Sequence, residues 1–78
     1  MNNESDFELN LVGVACPMNF IKTRLFLDKM QQGQCLLVFL DDGEPVQSVS
    51  SSIVAEGHQL VDSQKDVEGF WRVRICKA

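Results

Sequence analysis

The chain has 78 residues, 45% of them hydrophobic and 23% charged, with a formal net charge of −4. This length suits one small domain, and this composition argues against disorder. Its seven Lys and Arg residues are scattered over an acidic chain, which speaks against sequence-independent nucleic-acid binding, a task for clustered basic groups.

Residues 1–6 are polar and acidic and read as a flexible tail, with one domain expected over 7–78. Residues 7–12 alternate apolar and polar, as a half-buried strand does, and Gly13 ends the run. Pro17 suits the first turn of a helix, where its missing N–H costs nothing. The helical pattern then runs to Gln31, with Phe20, Leu27 and Met30 recurring alongside Ile21 and Arg24. Gly33 supplies a stop. Residues 35–40 are a continuous apolar run, the signature of a central strand. Asp42 is expected to cap a second helix, and Glu44 to sit at its positive end. Val46, Val49, Ile53 and Val54 form its apolar face, and Gly57 closes it.

Residues 58–64 read as a third strand, 65–69 as a turn and 70–76 as a fourth strand of clean alternation. The short turn makes the last two strands an antiparallel hairpin. The two helical crossovers make the first three strands run the same way, and their right-handedness puts both helices on one face. The expected fold is α+β: a two-layer βαβαββ sandwich, with a mixed four-stranded sheet and two helices on one face. That arrangement leaves the other face bare. Either Leu36, Val38 and Leu40, or Leu37 and Phe39, are then candidates for an exposed partner surface.

Three widely spaced cysteines, Cys16, Cys35 and Cys76, resemble neither a disulfide framework nor the paired ligands of a zinc site, so no metal is expected. The start of the chain lacks the basic and apolar regions of a secretory leader, and the longest apolar run falls far short of the ~18 residues of a membrane span. Together these features suggest a reducing, cytoplasmic setting with no membrane contact.

Cys16 stands out. It lies between the end of a strand and the first turn of a helix, at the edge of a sheet where functional loops gather. Unpaired N–H groups and the positive end of the helix dipole favour thiolate there, and thiolate is the nucleophile. Gly13 and Pro17 shape that loop. Asp41 and Asp42 follow the second strand and share this edge. They suit recognition of a basic partner surface, or simply capping. Lys22 and Arg24 could meet an acidic partner, although a solvated helix face explains them too. Cys35 reads as a structural residue, His58 as structural or solvent-facing at the far edge, and Trp71 as core. Cys76, on an accessible face, is poorly placed to act as a resolving thiol for Cys16.

The match extends along the chain. The segments Leu9-Asn10-Leu11-Val12-Gly13-Val14-Ala15-Cys16-Pro17, Met30-Gln31-Gln32-Gly33-Gln34, Gly57-His58-Gln59-Leu60-Val61 and Trp71-Arg72-Val73-Arg74-Ile75-Cys76-Lys77 resemble the TusA/SirA family of small sulfur-carrier proteins. The resemblance covers residues 7–77 and implies the same βαβαββ sandwich. It implies that Cys16, the cysteine of a Cys-Pro-x-Pro motif, bears sulfur as a persulfide. Sulfur would come from a cysteine desulfurase or another sulfurtransferase and pass to an acceptor protein thiol. Members serve tRNA thiolation, molybdenum-cofactor work or oxidative sulfur metabolism. No cofactor is implied, and a monomer or weak dimer is expected. The second motif proline is replaced by Asn19, which could hydrogen-bond the sulfur or face water. A non-catalytic adaptor or regulatory module of the same fold is the alternative reading.

Overall fold

In the computed structural model, residues 5–78 are described, so the expected tail falls largely outside them. Its last two residues are tied to the sheet. Asp6 exchanges bonds with Cys35, its N–H donating to the Cys35 carbonyl and its carboxylate accepting from the Cys35 N–H, both at 2.9 Å. Ser5 Oγ lies 3.2 Å from Arg74 Nε.

The elements run β1 (Phe7–Asn10), α1 (Met18–Lys29), β2 (Cys35–Leu40), α2 (Glu44–Ala55), β3 (Gln59–Lys65) and β4 (Trp71–Cys76). The sheet order is β1-β2-β4-β3. β1 pairs parallel with β2, and β4 pairs antiparallel with both β2 and β3. β3 therefore runs in the direction of β1 and β2 without touching either. The expected α+β mixed sheet is thus present, with two helices against it.

β1 ends two residues earlier than its alternation suggests. Asn10 Oδ1 accepts the Val12 N–H at 3.0 Å, a side-chain turn that bends the chain out of the sheet. Even positions of β2 face the helices: Leu36, Val38 and Leu40 are fully buried against Val73, Ile75 and, from α2, Val49 and Ile53. Val54, expected on that same face of α2, is instead exposed.

The buried face of α1 is Asn19, Thr23 and Leu27, continued by Met30. This i, i+4, i+8 row turns Ile21 and Arg24 outward, against the sequence expectation. Lys77 Nζ reaches the Met30 carbonyl at 2.8 Å and the Asp28 carbonyl at 3.4 Å, placing a cation at the negative end of α1.

The uncovered sheet face carries Leu37 and Phe39, half-buried rather than exposed. Arg74 and Arg72 are their register partners on β4. These arginines pair with Asp62, at 2.9 Å, and with Asp66. The charged side chains flank the apolar residues of this face.

Cys35 and Cys76 face each other across β2 and β4 and are joined as a disulfide. This corrects the reading of the cysteines as unpaired. A separation of 41 residues carries no pairing signal until strand register brings the two together.

Candidate functional site: the Cys16 loop

The loop joining β1 to α1 is held at several points. Leu11 N–H donates to the Phe39 carbonyl at 2.8 Å, keeping the chain beside β2 just past the strand's end. Val14 N–H returns to the Leu11 carbonyl at 3.0 Å. Between them, Gly13 has φ +86°, in a region where a side chain would be strained. Its N–H donates to Asp41 Oδ2 at 2.8 Å. Cys16 follows, exposed and the one free cysteine among the described residues. The Cys16–Pro17 peptide bond is cis.

Pro17 occupies the N-cap position of α1 and offers no side-chain cap. Asn19 N–H donates to the Ala15 carbonyl and Ile21 N–H to the Pro17 carbonyl, both at 3.1 Å. Phe20 N–H donates to Asn19 Oδ1 at 2.7 Å. The Met18 N–H, two residues from Cys16, meets no acceptor among the described residues. The first turn holds no acidic side chain to neutralise the positive end of the helix.

Asn19 neither faces water nor lies open beside the sulfur. Its side chain is fully buried, and its Nδ2 has no hydrogen-bond partner among the described residues. Its carbonyl accepts the Thr23 hydroxyl at 2.8 Å. A proline here would remove the N–H that reaches Ala15 and the oxygen that accepts from Phe20. The replaced motif position is therefore an internal support of the loop-to-helix junction, not part of the surface around Cys16.

The two acidic residues after β2 divide their work. Asp41 joins the Cys16 loop through Gly13. Asp42 does not cap α2, whose N-cap is Gly43. Its oxygens instead accept from Trp71 Nε1 at 2.7 Å and Lys65 Nζ at 3.1 Å. The Trp71 bond first, and then the Lys65 bond, hold the Asp42 carboxyl below the ordinary carboxylate range. Trp71, expected in the core, packs against its rim with the indole N–H turned to Asp42.

Lys22 and Arg24 are both exposed, but they point apart. Arg24 lies 3.7 Å from Glu56 at the end of α2. Lys22 shares a helix face with Met18, Ile21 and Leu25, which are 47%, 39% and 56% exposed. This apolar stripe starts beside Cys16, and Val12 in the loop is exposed too, at 43%. Sequence periodicity misses the stripe because Ile21 and Leu25 look like core residues. Only Asn19 and Thr23, polar and fully buried, reveal that the helix is turned the other way.

His58 lies near the opposite edge, its Nδ1 accepting the Ala78 N–H at 3.2 Å. Among the described residues, no three His, Cys, Asp or Glu side chains gather to hold a metal ion. No helix among them is long and apolar enough to cross a membrane.

Residues 7–77 match the family model described as "Sulfurtransferase TusA". A protein of Archaeoglobus fulgidus named "Putative sulfur carrier protein" is 35% identical over 74 residues, covering 95% of this chain and 84% of its own length. "Putative sulfur carrier protein YrkI" of Bacillus subtilis is 29% identical over 70 residues, covering 87% of this chain and 93% of its own. The crystal structure of a SirA-like protein from Desulfitobacterium hafniense superposes with a TM-score of 0.79 over 90% of this chain and 95% of that one. At 20% identity, that likeness shows the shared fold. With the family model spanning nearly the whole described chain, the protein belongs to the TusA/SirA family of sulfur carriers.

Proposed function

We propose that the protein carries sulfane sulfur as a persulfide on Cys16. The observation that carries this reading is the exposure of Cys16 as the one free thiol among the described residues, at the amino end of α1. Loading is a thiol exchange. The Cys16 thiolate attacks the outer sulfur of a donor persulfide, the donor S–S bond breaks, and the donor leaves as a thiolate that takes up the proton. An acceptor thiol then attacks the outer sulfur on Cys16 and restores its thiolate. The sulfur changes hands without net oxidation, so neither step needs a metal or an organic cofactor.

At each stage the sulfur lies at the amino end of α1, whose dipole favours negative charge. Asp41 fixes the loop through Gly13, and Pro17 directs it into the helix. Asn19 supports the same junction from inside. Met18, Ile21 and Leu25, with Lys22 beside them, form the surface a donor or acceptor protein meets on its approach to Cys16. The donor class is a cysteine desulfurase or another sulfurtransferase, in a cytoplasmic setting. The acceptor is a protein thiol in a route such as tRNA thiolation, molybdenum-cofactor work or oxidative sulfur metabolism.

The test is direct. The protein is incubated with a cysteine desulfurase and cysteine and weighed intact. A gain of ~32 Da, one sulfur atom, is expected in the wild type and absent in Cys16→Ser. No gain in the wild type refutes the reading, and an undiminished gain in Cys16→Ser moves the site elsewhere.

A further inference from the structure

We propose that Cys35 and Cys76 form a second thiol site, a reversible dithiol–disulfide couple whose reactants are small or protein thiols and disulfides. It lies apart from Cys16. Cys35 opens β2, whereas Cys16 follows the carboxyl end of β1, and these strands run parallel with Phe7 level with Leu36 and Asn10 level with Phe39. The length of β1 alone, at ~3.3 Å per residue, separates the two levels by more than ~10 Å.

The sheet holds the pair whether or not the bond is closed. Cys35 and Cys76 are register partners with Cα atoms 4.0 Å apart, at the end of a ladder that continues to Leu40 and Trp71. Just beyond them, Gly33 N–H donates to the Lys77 carbonyl at 3.0 Å and Lys77 N–H to the Gln34 carbonyl at 2.9 Å. On the other side of β2, Asp6 secures the Cys35 backbone in both directions. Opening the S–S bond leaves all of these bonds in place, so the two thiols stay positioned to close again. Both residues are only half-buried, on the sheet face without helices, where a dissolved thiol can reach them.

The exchange balances in two steps. An external thiolate attacks one sulfur, the Cys35–Cys76 bond breaks, and the other sulfur leaves as a thiolate and is protonated. A second external thiol attacks the mixed disulfide, releasing the remaining cysteine thiol and an external disulfide. Two electrons and two protons pass from the external pair to the protein. Closure is the reverse. Opening raises the number of free thiols among the described residues from one to three and removes a crosslink spanning 41 residues. The stability of the fold thus becomes subject to the thiol balance of the surroundings.

The full chain is equilibrated in graded ratios of reduced to oxidised dithiothreitol, quenched with iodoacetamide, digested and weighed. At the oxidising end, alkylation is expected at Cys16 alone. Toward the reducing end, Cys35 and Cys76 should become alkylated together through one shared midpoint. Over that same range the melting temperature should fall by roughly 10 °C or more, while the far-ultraviolet circular dichroism at 25 °C stays unchanged. Cys16→Ser should keep the transition, and Cys76→Ser should abolish it. The proposal is overturned if Cys35 and Cys76 are alkylated at the oxidising end, if they open at different ratios, or if either is recovered joined to Cys16.

Discussion

Replacing Asp41 by alanine removes the acceptor for the Gly13 N–H, a 2.8 Å bond that ties the Cys16 loop to the end of β2. A hydrogen bond to a charged group contributes about 1.5–3 kcal/mol when shielded from water. This one is open to solvent, and about 1 kcal/mol is the working figure. In a domain of this size, that lowers the melting temperature by roughly 4–8 °C. The same energy changes the ratio of ordered to open loop about fivefold, which bounds the loss of transfer rate if loop order limits the reaction. Asp41→Asn keeps an oxygen in reach of Gly13 and should show a smaller loss in both measurements. Thermal melting followed by circular dichroism gives the first quantity, and rapid-quench transfer from a persulfide donor gives the second. If Asp41→Ala melts with the wild type, the bond to Gly13 carries no weight. If it transfers sulfur faster, the carboxylate acts on the site by repelling the thiolate and not by fixing the loop.

Asp42 gives a pH prediction with its own reporter, because Trp71 is the only tryptophan in the chain. The folded carboxyl titrates below its ordinary range, so its stabilising effect is present above pH ~4 and is lost as pH falls through the lowered folded value. Trp71 emission should change over that acid range, and Asp42→Asn should remove that step. An identical acid titration in the variant would show that the Trp71 bond is not what lowers Asp42. At Asn19, substitution by aspartate keeps the size of the side chain but buries a carboxylate in place of an unpartnered amide nitrogen. It should cost about 3 kcal/mol at neutral pH. Burial raises the folded titration of the new carboxyl, so stability should be retained in acid and lost as pH rises past ~4. Urea unfolding at pH 3 and pH 7 checks this, and equal stability loss at both refutes the buried placement.

The architecture was legible where burial is dictated by simple periodicity. The alternation of β4 stands out because a sheet packed on one side forces period two on its strands, and the unbroken apolar run of β2 marks a strand with neighbours on both edges. The loop bearing Cys16 was legible for a related reason: Gly13 permits a backbone conformation closed to other residues, and Pro17 fixes its own φ. The features that escaped all depend on tertiary neighbours. Asn19 and Thr23 look like surface residues, yet they share the buried row of α1 with Leu27. Asp42 has the chemistry of a helix cap, but Trp71 and Lys65 compete for its oxygens from across the sheet. The Cys35–Cys76 bond is set by the register of β2 against β4, which neither strand encodes alone.

The strand order has a consequence for how the chain comes together. β4, the last of the four strands in chain order, lies between β2 and β3. Until residues 71–76 arrive, β1 with β2 and β3 by itself have no common seam, and the apolar row of β2 has one flank uncovered. The sheet can close only from the middle, as a late wedge inserted between strands made earlier. Such an order delays closure of the sheet until residues 71–76 are present, and it makes them the segment whose loss during synthesis or proteolysis would divide the sheet into two unconnected pieces.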